Sequence, residues 1–172
     1  MIISQPVVGF LTSATHDLIA RHAREVTGLK VIVKSAGENR NNTTAEANDA
    51  DFYWDAEIGE YCHVLMLLHV TGPAAGGFRC QFTWPAGGGL YWIFGDTLSP
   101  VAAGDAPQLF QAEKIYTSFS GSTGWEILVF ATLHNGGTAG RFNFQWAQGT
   151  ANGTNTTIER DSVMVLWPKG KL

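Results

Sequence analysis

Large apolar residues occupy every second position in two segments of the chain, residues 78–84 (FRCQFTW) and residues 140–148 (GRFNFQWAQ). Because successive side chains of a β-strand point to opposite faces, this spacing predicts strands with one buried face and one polar face. In the second segment the inward residues are Phe142, Phe144 and Trp146, and the outward residues are Asn143 and Gln145. Three aromatic rings on one short strand need a deep partner surface, so this feature predicts a second sheet packed against the first.

Further short strands, separated by glycine-containing turns, recur from residue 29 to the C-terminus. Residues 61–70 (YCHVLMLLHV) are apolar on both faces, which predicts a central strand covered on both sides. The composition of residues 37–51 predicts a polar loop, and that of residues 95–111 predicts an irregular loop, called here the excursion. The other predicted strands are residues 29–34, 52–61, 90–94, 114–121, 125–134, 156–161 and 162–167. With 20 glycines and 12% aromatic residues, this spacing predicts an all-β fold, a jelly-roll-like antiparallel β-sandwich over residues 29–172.

Residues 1–28 predict a separate N-terminal unit, an extended apolar arm followed by a short helix at residues 12–28. Thr12 or Ser13 can cap the helix, and Gly28 is a suitable stop. The helix is only weakly amphipathic and therefore needs docking to be stable. We expect this unit to act as a tether or oligomer contact. Its candidate partner-binding residues are Leu11, Leu18, Ile19 and Arg21.

The charge content limits the partners of this chain. Charged residues make up 15% of the 172 residues, against about 25% in an average protein, which suggests surface hidden against partners. The net charge is −4 and the basic residues are spread singly, so direct nucleic-acid binding is not expected. No apolar run long enough for a membrane span and no signal-type segment is apparent. Whether Cys62 and Cys80 form a disulfide is left open by the sequence.

No catalytic motif appears, and three groups of polar side chains come closest to a catalytic or metal site. These groups are His63 with His69; Asn48, Asp49 and Asp51; and Asp55, Glu57 and Glu60. The two histidines lie about 20 Å apart at the rise of a strand, too far to share one ion. The second group lacks the late bidentate Glu of a calcium loop and predicts an Asx-rich turn. The third is typical of the solvated side of a turn. We therefore expect no enzyme activity, no catalytic residue, no cofactor and no metal site.

Six tryptophans keep glycan binding open as an alternative, because sugar rings stack on flat aromatic side chains. Most of these tryptophans occupy inward positions of the predicted strands, so we expect them to lie in the hydrophobic core. Trp92 and Trp125 border glycine-rich turns, so these two are the candidate glycan contacts.

Several segments together resemble a group of small virion proteins of tailed bacteriophages. Residues 138–167 (TAGRFNFQWAQGTANGTNTTIERDSVMVLW) are similar to the closing segment of that group, with its aromatic strand ending in Trp-Ala-Gln. Residues 48–70, 81–88 (QFTWPAGG) and 11–26 (LTSATHDLIARHAREV) also resemble it. Arg160-Asp161 departs from the small-residue turn that the group has at this place.

The resemblance implies a virion structural protein with a jelly-roll-like domain that forms a homotrimer. Members of the group are head decoration, head fibre or minor tail components. A single compact domain with a short arm favours a capsid decoration protein that binds the major capsid protein or other virion proteins, assembled in the host bacterial cytoplasm. The alternative is a minor tail or receptor-binding protein that recognises host-surface glycans. Uncharged amides can pair across a subunit interface at low desolvation cost, so Asn143 and Gln145 are candidate subunit contacts.

Overall fold

The computed structural model describes residues 28–96, 108–109, 114–116 and 124–171, and all regular structure in these ranges is β-strand. The strands are β1 Lys30–Val33, β2 Glu38–Arg40, β3 Ala47–Ala56, β4 Glu60–Thr71, β5 Phe78–Thr83, β6 Gly89–Asp96, β7 Gln108–Leu109, β8 Lys114–Tyr116, β9 Trp125–His134, β10 Gly140–Ala147, β11 Thr156–Ile158 and β12 Val163–Lys171. The predicted arm and helix up to residue 27 lie outside the described residues, and with them Leu11, Leu18, Ile19 and Arg21.

Two antiparallel sheets pack face to face. The larger, eight-stranded sheet has the order β1-β12-β4-β9-β6-β7, with β11 beside β4 and β2 beside β11. The smaller, four-stranded sheet has the order β3-β10-β5-β8. From β3 to β6, and again from β8 to β11, each successive strand lies in the opposite sheet. The predicted all-β fold, a jelly-roll-like antiparallel β-sandwich, is therefore confirmed for the described residues.

The core lies between the two sheets, and the inward face of β10 is at its centre. Phe142, Phe144 and Trp146 are each at most 2% exposed, which confirms their predicted orientation. The Phe144 ring lies 5.3 Å from the ring of Phe82, and the Trp146 ring lies 5.9 Å from that of Phe78. Burying each of these side chains contributes roughly 1.5–3 kcal/mol to the free energy of folding. The larger sheet faces them with Val64, Met66, Leu68, Ile127, Val129, Leu133, Met164 and Leu166.

The predicted polar loop at residues 37–51 is wrong. Its first part contains β2, and its last part begins β3, where Asn48 pairs with Gln145 and Ala47 with Trp146. Asn and Asp have low β-propensity, but hydrogen bonding to β10 outweighs that local preference. Gln108–Leu109, within the predicted excursion at 95–111, likewise pairs with β6.

Candidate functional site

The outer face of the larger sheet carries two adjacent rows of apolar side chains across four strands. One row follows Val33, Val163, Leu67 and Leu128, and the other Val31, Val165, Leu65 and Phe130. We call these eight residues the apolar face. Val33, Leu67 and Phe130 are 51%, 44% and 50% exposed, and the other five are half-buried. Contiguous apolar surface of this kind marks an interaction site more often than an ordinary free surface.

The prediction that β4 is covered on both sides is confirmed for its inward face and stays a prediction for its outward face. The inward residues of β4, such as Met66 and Leu68, are 0% exposed beneath the smaller sheet. On the outward side Leu67 remains 44% exposed. Described residues therefore cover only one face of this strand, although its sequence is apolar on both.

Polar pairs flank the apolar face at both ends of β4. The Nδ1 atom of His69 lies 2.5 Å from Oε1 of Glu126, and Nδ1 of His63 lies 3.0 Å from Oγ1 of Thr132. Each histidine thus has its own partner on β9, as expected from their separation. Among the residues that the structure describes, no group of three or more His, Cys, Asp and Glu side chains is placed to hold a metal ion.

The outer face of the smaller sheet is polar and largely uncharged. We call six of its side chains the amide face: Asn48, Tyr53, Gln81, Thr83, Asn143 and Gln145. Gln81 Nε2 donates to Gln145 Oε1 at 3.0 Å, and Gln145 Nε2 donates to Asn48 Oδ1 at 2.7 Å. These three amides form a hydrogen-bonded row across three strands. In the neighbouring row, Asn143 Nδ2 donates to Thr83 Oγ1 at 3.2 Å.

Charged pairs close the amide face at its two ends. At one end Arg141 donates two hydrogen bonds to the Asp55 carboxylate, at 2.7 and 3.1 Å, and its guanidinium stacks 4.0 Å from the Tyr53 ring. The hydrogen bond from Arg141 lowers the pKa of Asp55 below its usual range, and the same bond raises the pKa of Arg141. At the other end Arg79 pairs with Glu46 at 2.8 Å. Each of these charges is matched locally, so the centre of the amide face is neutral.

An open groove of about 390 Å³ borders the amide face and is lined by Gln81, Phe82, Thr83 and Trp84. Trp84 was predicted to point into the core, and it is half-buried while packing against core residues. Nothing in the local sequence pattern indicates this groove.

The remaining predicted site residues are separated by the fold. Trp125 packs against the core and is half-buried, whereas the side chain of Trp92 lies outside the described part of the chain. The three acidic residues Asp55, Glu57 and Glu60 do not form a cluster of carboxylates. Asp55 pairs with Arg141, while Glu60 Oε2 accepts a hydrogen bond from the backbone nitrogen of Glu57 at 2.8 Å. Asn143 and Gln145 are brought together on one face, and their contact with a neighbouring subunit stays a prediction.

No protein-family model and no curated protein matches the chain. Within the described ranges, no helix has the length and apolar character that a bilayer crossing requires.

Proposed function

We propose that this chain is a structural protein of a tailed-bacteriophage virion, a capsid decoration protein that assembles as a homotrimer and binds the major capsid shell. The apolar face is the observation that carries the proposal. The resemblance of residues 48–70 and 138–167 to small phage virion proteins supports the same function.

A second copy of the chain is the occupant that the chemistry of the apolar face favours. The eight residues carry no charge, so this surface can be buried against neighbouring copies without like-charge repulsion or the desolvation of unpaired ions. Leu67 and Phe130 are about half exposed in one copy, and covering each contributes roughly 1 kcal/mol per copy to association. Hydrogen-bonded side chains at the rim, such as His69 with Glu126, suit the polar border of an interface.

The oligomeric state of the full chain tests whether copies associate through the apolar face. We expect a trimer by light scattering after gel filtration, and a monomer with an unchanged far-UV spectrum for Leu67→Asp and for Phe130→Asp. Ile58→Asp is the matched control, because Ile58 is also apolar and 56% exposed but lies in the turn between β3 and β4. A monomeric wild-type chain, or Leu67→Asp and Phe130→Asp variants that remain trimeric, would contradict the proposal.

Residues 1–28 supply the proposed tether to the shell. Leu18→Asp and Arg21→Glu in the full chain should reduce binding to undecorated particles while leaving the trimer intact. Unchanged particle binding by both variants would exclude the tether.

A minor tail or receptor-binding protein that recognises host-surface glycans is the second candidate, and the neutral amide face with its groove favours it. The position and copy number of the chain in purified particles separate the two. Hundreds of copies on the shell support decoration, whereas a few copies at one vertex support the tail protein.

A further inference from the structure

We propose that the amide face, together with the groove beside Gln81, Thr83 and Trp84, is a binding site for neutral carbohydrate. This inference rests on and deepens the second candidate function, because it names the class of glycan and the residues of the smaller sheet that would bind it. It also assigns Asn143 and Gln145 to a ligand rather than to a neighbouring subunit.

The position of the amide face keeps it available in an assembly. The two sheets pack face to face around the core, so their outer faces point in opposite directions. Copies that associate through the apolar face of the larger sheet therefore leave the amide face of each copy directed away from that contact.

The hydrogen-bonding groups of the amide face suit hydroxyl groups of a ligand. Gln81 and Asn143 each use their side-chain nitrogen for a bond within the sheet. Within the described part of the chain, no partner is found for the Gln81 and Asn143 side-chain oxygens, and Thr83 Oγ1 accepts a bond but still has its own hydrogen to donate. A sugar hydroxyl can both donate and accept, so it can satisfy either kind of group.

The bonds within the sheet also hold these groups in place before a ligand arrives. The row from Gln81 through Gln145 to Asn48 restrains three amide side chains that would otherwise lose rotamer freedom on binding. Such preorganisation reduces the entropic cost of association.

Charge selects a neutral ligand at this site. Arg141 is matched by Asp55 and Arg79 by Glu46, so neither of these two cations is left unmatched to attract an acidic sugar. Trp84 adds an aromatic side chain to the lining of the groove, and a few polar groups beside an aromatic surface are typical of small-ligand sites.

Affinity electrophoresis of the full chain tests the proposal, with dextran, soluble starch and β-1,3-glucan as neutral probes and alginate as an acidic probe. An array of neutral oligosaccharides extends the panel. We expect at least one neutral probe to retard the protein, and Gln81→Ala and Asn143→Ala each to weaken that binding about tenfold. Asn39→Ala is the matched control, since it removes an exposed amide from β2 of the larger sheet.

The proposal would be overturned if no neutral probe or array glycan binds, or if alginate retards the protein as strongly as the neutral probes do. It would also be overturned if both alanine variants bind like wild type. A fourth contrary result is an Asn143→Ala variant whose oligomeric state changes while its retardation does not. The last result would instead support the subunit contact.

The Leu67→Asp variant distinguishes the carbohydrate site from the proposed assembly. A monomeric Leu67→Asp variant that is still retarded supports a carbohydrate site independent of the trimer, and a trimeric wild type without retardation removes the site alone.

Discussion

The ammonium group of Lys34 lies 2.8 Å from both carboxylate oxygens of Asp49, and the two side chains are 1% and 0% exposed. Lys34 directly follows β1 in the larger sheet, whereas Asp49 belongs to β3 in the smaller one. Asp49 also accepts a hydrogen bond from Trp146 Nε1 on β10 at 3.1 Å. This buried ion pair therefore joins the two sheets at one end of the core.

Lys34→Met should destabilise the fold strongly. The substitution leaves the buried Asp49 carboxylate without its main counter-charge, and breaking a buried pair from one side typically costs about 3–5 kcal/mol. Urea unfolding of the full chain measures the loss. The double variant Lys34→Met/Asp49→Asn should lose less than the sum of the two single variants, because it removes the unpaired charge as well. A Lys34→Met variant as stable as wild type would show that the pair contributes nothing.

The same ion pair should make stability sensitive to alkaline pH. Burial by itself lowers the pKa of Lys34, but hydrogen bonds and charges from Asp49 and Glu38 outweigh it and raise the pKa above the ordinary 10.5. A group with a raised folded-state pKa stabilises the fold fully below its unfolded pKa and loses that contribution as pH rises through the folded value. The free energy of unfolding should therefore fall more steeply above about pH 10.5 in wild type than in Lys34→Met. Parallel curves for the two proteins would contradict the prediction.

Local alternation was sufficient to predict the core side of β10. Phe142, Phe144 and Trp146 are separated by single polar residues, and a strand must place them on one face. The strand beginning at Ala47 could not be predicted in this way. Its polar residues favour turns locally, and only pairing with β10, nearly 100 residues later in the chain, makes them a strand.

The two outer faces were less predictable than the core, for the same physical reason. Gln81 and Gln145 are 64 positions apart, and only the register between β5 and β10 places their amides in contact. For β4, apolar residues on both faces indicated a strand covered on both sides. A single chain's sequence does not distinguish cover within the chain from cover by another copy, so what covers the outward face of β4, including Leu67, stays a prediction.

Two neighbouring glycines in the turn between β9 and β10 should respond very differently to alanine. A Cβ atom at Gly136 would lie 2.1 Å from the backbone oxygen of Gly87, whereas one at Gly137 would meet nothing within 4 Å. The clash at Gly136 involves the backbone, so the β9–β10 turn and the β5–β6 turn that contains Gly87 must separate. We expect this to lower the free energy of unfolding by about 1–3 kcal/mol or more. Gly137→Ala should stay within roughly 0.5 kcal/mol of wild type. Thermal or urea unfolding checks both variants, and equal stability of the two would contradict the packing of these turns.

The two cysteines should be unreactive in the folded protein. Cys62 and Cys80 are both buried, and burial raises the pKa of the Cys62 thiol from 9.0 to about 12. Because the thiolate is the nucleophile, iodoacetamide at about pH 8 should label neither residue until urea unfolds the chain. Ile58→Cys is the control, since a thiol at this exposed turn position should be labelled in the native state. Labelling of Cys62 at the rate of the introduced thiol would mean that β4 opens to solvent, which would contradict its place at the centre of the larger sheet.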